Sequence, residues 1–290
     1  MESRVSSLSL SETTHPKSSP SSVSRLWRPA AQRNMKNQWS RLNSLRQEWF
    51  SSSSAARSHA TSIVNAYMKD MELGVLSDIP DIRGKACMKL LKQQVLHHDK
   101  LVSSYKDMVT IVVNMINTST SLRCFAKGGT NSSIIQFSNS SEDTNDDGDG
   151  GGIPVFTFSS ISFFEKSASE LVQMFKLELY LKRLLVMEFL SLRSKEDPIV
   201  KRMCWSDEIY HGESDDLSRC DLDCREASES APMKLHTRVS NNPLQLISQP
   251  DSDILQVYLT AWLTDINIDK NRVEDIFCEV GEEMHVNFVS

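Results

Sequence analysis

Four places in the sequence carry side chains that could do chemistry. Cys220 and Cys224 stand four residues apart, with Cys204 and His211 upstream, which is half of a zinc-ligand spacing. A structural zinc site needs four ligands, usually two close pairs on a compact turn. Here one pair is loose and its neighbours are polar, so the group reads as free thiols rather than a metal centre. Asp143, Asn145, Asp147 and Gly148 match the first, third, fifth and sixth positions of a calcium-binding loop. The twelfth position must supply a bidentate Glu, and it holds Pro154. The segment therefore reads as a solvated acidic linker. His98 lies on an apolar helical seam without an Asp, Glu or Cys at ligand spacing, and so reads as a polar register residue. Ser19-Pro20 is a minimal proline-directed phosphorylation site in an exposed tail.

Catalytic constellations are missing. The chain has no glycine-rich phosphate loop after a strand, no Gly-x-Ser-x-Gly elbow and no His-Glu-x-x-His. Its carboxylates cluster in polar stretches, where nothing would bury them and tune them for proton transfer. Basic residues are interspersed with acids and do not alternate with aromatics, so neither an enzyme nor direct nucleic-acid binding is expected. No cofactor is expected either.

The elements that would position any site are helical. Residues 1–36 are Ser-rich and basic, with Pro16, Pro20 and Pro29, and read as a disordered tail. From Asn37, Trp39, Leu42, Leu45, Trp49, Ala56, Ala60, Ile63, Tyr67 and Met71 advance by threes and fours to Gly74. Pro80 opens a second helix as a first-turn proline, running to about Ala126 before Gly128-Gly129. Its seam holds Met88, Val95, Val102, Val109 and Ile116 at one heptad position and Leu91, His98, Tyr105 and Val112 at the other. These two helices form a hairpin over 37–127, followed by an acidic, glycine-rich linker over 128–152.

A central helix spans 162–192 within the segment 153–193. Ser162 and Glu165 have capping-box spacing at its start. It is apolar nearly all round and so needs neighbours on several sides. Only Glu178, Lys182 and Arg183 interrupt its oily circumference, and Glu178–Lys182 form an i, i+4 pair. Residues 194–250 read as a mostly disordered insertion, although Trp205 and Tyr210 are unusual for a linker. A helical pair over 251–281 follows, capped by Asp251 or Ser252 and then by Asp269, and closed at Gly281, with 282–290 as a tail.

Charge and hydropathy fit such a chain. A formal charge of −6 and a pI near 5.7 argue against general nucleic-acid coating. No apolar run reaches the ~18 residues of a membrane span. Six scattered cysteines and no secretory signal point to an intracellular protein. The Ser- and Arg-containing first 36 residues also fit a transit peptide into a mitochondrion or plastid, as part of a structural coiled-coil protein.

At residues 154–190 and 253–281 the sequence resembles the family of the cyclin-dependent-kinase-2-interacting protein, as a plant-like member with a long insertion. The likeness rests on Pro154-Val155-Phe156, on the step Leu171, Met174, Phe175, and on the block Glu178 to Arg183. Tyr258, Leu259, Trp262 and Leu263 then match the family's Tyr-Leu-x-x-Trp-Leu, with Glu279 and Gly281 as its closing Glu-x-Gly. Trp39 and Leu42 are similar to its early Trp-x-x-Leu. Two features depart: the polar insertion over 194–250 is long, and Ser159, beside Phe158, stands where animal members carry a Trp. The resemblance implies a non-enzymatic nuclear adaptor linked to DNA replication, checkpoint signalling and genome maintenance. Its implied partners are subunits of an AAA-type ATPase complex, which also matures large ribosomal subunits, and cyclin-dependent kinases or checkpoint proteins.

The expected architecture is all-α: an antiparallel long-helix bundle, coiled-coil-like, with a small C-terminal helical pair and disordered linkers. Expected partner contacts are Leu181, Leu184 and Leu185 on the oily face, the flanking Lys182 and Arg183, and Tyr258 with Trp262.

Overall fold

The computed structural model describes residues 22–73, 80–123, 154–192, 204–222 and 250–288. Among them every regular element is a helix: α1 Ser22–Leu73, α2 Pro80–Thr120 with a 3-10 turn at Ser121–Arg123, α3 Ile161–Leu190, α4 Glu213–Arg219, α5 Ser252–Thr264 and α6 Lys270–Met284.

The two long helices pair antiparallel. His59 of α1 faces His97 of α2, and Asn34 near the other end donates to the carbonyl of Ser121 at 3.0 Å. α3 runs antiparallel to α2: Arg123 pairs with Glu165 at its start, and the Gln94 amide donates to the Leu192 carbonyl at its end, 2.6 Å away. At 1.5 Å rise per residue, α1 is about 78 Å long and α3 about 45 Å. The hairpin therefore outruns the helix laid along it, leaving an arm made of the end of α1 and the start of α2.

Aromatic side chains join the layers. The Trp49 and Phe175 rings meet edge to face with centroids 5.4 Å apart, and Trp39 meets Phe277 in the same way at 5.7 Å. Trp39, Trp49, Trp262, Phe164, Phe175 and Phe277 are all buried in one continuous core. The serine stretch at 51–54 does not interrupt α1. Small side chains there let α5 approach, and the Trp262 indole N–H donates to the Ser53 carbonyl at 3.0 Å.

Local backbone chemistry places the boundaries of the C-terminal pair. The Asp251 carboxylate accepts from the Ile254 N–H, and Asp269 accepts from Asn271 and Arg272, so both helices open on the expected caps. α6 passes through Gly281 and closes with His285 in the left-handed region at φ 54°. The Val286 N–H donates back to the Gly281 carbonyl and that of His285 to Glu282, a Schellman closure. Gly281 serves close approach instead of termination, since a Cβ there would lie 2.6 Å from the Val286 carbonyl oxygen.

Several expectations need correction. α1 begins at Ser22, so 22–36 is helical and not a disordered tail. Ala31 and Met35 are buried, and Gln32 donates to the Val155 carbonyl at 2.6 Å. These anchors are far away in sequence and leave little local periodicity. Ser162 and Glu165 form no capping box: Ser160 is the N-cap, and the Glu165 carboxylate turns to Arg123. Residues 204–222, inside the supposed disordered insertion, are folded and carry α4. The expected loose tail packs down through Phe288, whose carbonyl accepts from Asn43 at 3.2 Å and whose ring meets Phe277. Ser19, Cys224 and the calcium-loop mimic at 143–148 lie outside the described residues.

Candidate functional site

Lys182 and Arg183 were expected at a partner surface; both are buried in the middle of α3. Successive residues on a helix point about 100° apart, so this pair reaches into two different layers. Each side chain holds a separate segment against the bundle.

Lys182 faces the corner between α5 and α6. Its ammonium lies 2.8 Å from Glu178 Oε1 and 3.1 Å from Asp265 Oδ1, donates to the Trp262 carbonyl, and sits 4.9 Å from the Trp262 ring centroid. The other oxygen of Glu178 accepts from the backbone N–H and the side-chain amide of Asn267, at 2.9 and 3.0 Å. The expected i, i+4 pair thus exists. With both side chains out of water it is a joint between helices, not the small surface stabiliser that its spacing suggests.

Arg183 faces residues 204–222. Its Nε donates to Glu213 Oε1 at 2.9 Å and its Nη2 to Oε2 at 3.2 Å. Nη1 donates to the Trp205 carbonyl at 2.9 Å and Nη2 to the Asp207 carbonyl at 3.0 Å, while the guanidinium stacks 4.1 Å from the Trp205 ring centroid. Glu213 is itself fully buried and also accepts from the Tyr105 hydroxyl and the Ile209 N–H, each at 2.7 Å. Burial, then the neighbouring Glu213 charge, pushes the Tyr105 phenol well above its ordinary value. Gly212, at φ 85°, makes the left-handed turn that brings Glu213 inward. Sequence reading missed Glu213 by assigning its segment to a linker. The available signal was Trp205 and Tyr210, now packed on Tyr180 and Tyr105 respectively.

Of the other expected contacts, Leu185 and Trp262 are buried, Leu181 and Tyr258 are half-buried, and Leu184 is exposed. The charged pair lies inside the bundle and not on its surface. Exposed apolar side chains include Ile82, Met88, Leu91, Val95 and Leu96 on α2, Leu177 and Leu184 on α3, Ile254, Val257 and Leu263 on α5, and Ile266 just after it.

Cys220 is buried against the core, where desolvation pushes its thiol up to about 12, and Cys204 is exposed. Among the described residues no group of three or more His, Cys, Asp or Glu side chains is placed to share a metal ion. Ser159, Glu283 and His285 line one cleft of about 380 Å³. Glu283 is occupied by the N–H groups of Phe158 and Ser159, both at 3.2 Å, so it does not orient the histidine as a triad requires. A larger cleft of about 530 Å³ between the end of α1 and the start of α2 is lined by Lys69, Glu72, Lys89, Leu90 and Gln93, with no Ser, Thr, Cys or His among its lining residues. No described helix is long and apolar enough to cross a membrane.

The sequence matches no protein-family model and no curated protein. The fold and these sites define a helical bundle whose buried charges act as internal joints.

Proposed function

We propose that the protein is a non-enzymatic adaptor subunit of the nucleus, working with an AAA-type ATPase complex in DNA replication, cell-cycle or checkpoint signalling, genome maintenance and maturation of the large ribosomal subunit. The resemblance at 154–190 and 253–281 supplies the biology of this reading. The observation that carries it is a filled core together with exposed apolar side chains on α2, α3 and α5. Scattered exposed apolar residues need no explanation, but rows of them along helices are what a helix-binding partner covers. The buried carboxylates Glu178 and Glu213 pair with Lys182 and Arg183 to hold segments of the bundle together, a structural use of charge that suits an adaptor.

The structure also bears on the organelle alternative. A leader cleaved after residue 36 would remove Met35 and Asn34, both buried in the bundle. Affinity purification of the tagged full chain with quantitative mass spectrometry tests the proposal. Stoichiometric recovery of AAA-type ATPase subunits supports it. Recovery of organellar structural proteins instead, with tag fluorescence confined to that organelle, overturns it.

A further inference from the structure

The α2 heptad seam continues past the point where its cover stops. α2 packs on α3, and between Val102 and Ile116 its seam residues Tyr105, Val109 and Val112 are buried. α3 ends at Leu190, and the Gln94 amide holds the Leu192 carbonyl just beyond it. Toward the start of α2 the same two heptad positions carry Met88, Leu91 and Val95, exposed by 55%, 46% and 52%. Their three-and-four spacing is that of a helix-pairing seam. They lie beside and beyond the Gln94–Leu192 contact that marks the end of α3.

Charge selects the occupant. Between residues 80 and 100 stand Arg83, Lys85, Lys89, Lys92 and Lys100 against Asp81 and Asp99. Lys85 and Lys92 fall at the position flanking the seam on one side, and Lys89 one position further round, where it also lines the cleft beside α1. One rim of the stripe is therefore basic, while Cys87 and Gln94 hold the other. A second copy laid antiparallel on the seam would bring the same basic rim against itself. The faces that enter anionic membrane surfaces commonly bear Trp or Phe, and this stripe carries neither.

We propose that Met88, Leu91 and Val95 form the docking seam for one acidic amphipathic helix of a partner protein, lying in line with α3. This rests on the adaptor reading and adds to it where the contact is made and of what chemistry. The helix buries its apolar stripe on the seam and sets Glu or Asp side chains against Lys85, Lys89 and Lys92.

The test uses the full chain and two labelled helical peptides of about four heptads, each with Leu at the seam positions. One carries Glu on both flanks and the other Lys. Fluorescence anisotropy should show saturable binding of the Glu peptide and none of the Lys peptide. L91D/V95D should weaken the Glu peptide by about tenfold or more, with an unchanged thermal melt because both side chains are exposed. K85E/K89E/K92E should transfer preference to the Lys peptide. The proposal is overturned by equal binding of both peptides, by no saturable binding, or by binding that survives L91D/V95D. It is equally overturned if the stripe binds only phosphatidylserine vesicles, or if it mediates a dimer that L91D/V95D dissolves. Failure here with recovery of ATPase subunits would leave the adaptor reading standing. Peptide binding without those subunits would instead fault the adaptor's assigned complex.

Discussion

Replacing Glu213 by Gln keeps the shape of the side chain and removes the charge that balances Arg183. The guanidinium would retain the carbonyls of Trp205 and Asp207 and the Trp205 ring, but would face a neutral amide in a site closed to water. Breaking one side of a buried ion pair typically costs about 3–5 kcal/mol, because the surviving charge stays desolvated. Here the loss has a ceiling: residues 204–222 can undock and let water reach Arg183, so the measured cost cannot exceed what docking that segment contributes. At about 1.4 kcal/mol per tenfold, 3–5 kcal/mol is a change of about two to nearly four orders of magnitude in the folding constant. Urea unfolding followed by circular dichroism gives the global value, and amide exchange over 204–222 shows whether the segment detaches. The double variant Arg183→Met with Glu213→Leu should be less destabilised than either single variant, since it leaves no orphan charge. A Glu213→Gln protein within about 0.5 kcal/mol of the parent, with unchanged exchange over 204–222, would refute the claim that this pair is a joint.

The remaining predictions concern groups whose burial sets their chemistry. With iodoacetamide near neutral pH, Cys204 and Cys278 should react readily in the native chain and Cys220 only on unfolding, because its thiol is shut in the core and held near 12; peptide mapping of the alkylated protein reads this directly. Tyr67, Tyr105 and Tyr210 should stay protonated above the ordinary phenol value of about 10, since burial raises each of them, with added acidic neighbours. Their folded values lie above the unfolded one, so this stabilisation is complete below about pH 10 and is lost as pH rises beyond it. Ultraviolet titration of native against denatured protein checks the order. His59 carries the opposite sign: burial, then His97 and Lys100, lowers its value, so protonation favours the unfolded chain. Stability should fall as pH drops below about 6.5, and His59→Gln should flatten that slope in pH-dependent urea melts.

What could be read from the sequence was governed by local backbone chemistry. Pro80 opens α2, Asp251 and Asp269 cap their helices, and α1 stops at Leu73, because each depends on a few adjacent residues. The long-range anchors were not legible. Met35 is buried by a helix that seemed too polar to begin before residue 37, and Glu213 looked like one more acid in an acidic stretch. Lys182 and Arg183 offered a clue that surface reasoning passed over. A charged pair set in a helix apolar almost all round is placed by that helix inside the protein, and must find partners there. Asp265 and Glu213 meet that need from segments 83 and 30 residues away, distances no periodicity reports.

The central claim is that the bundle leaves apolar side chains on its helices for partner subunits to cover, and co-elution tests it most directly. The purified full chain is mixed with the AAA-type ATPase subunits recovered with it and passed over a sizing column with light scattering. The account predicts one monodisperse complex of defined stoichiometry, dispersed by charges placed at Leu177, Leu184, Leu91 and Val95. Separate elution of the two, with the chain alone a stable and monodisperse monomer, would contradict it.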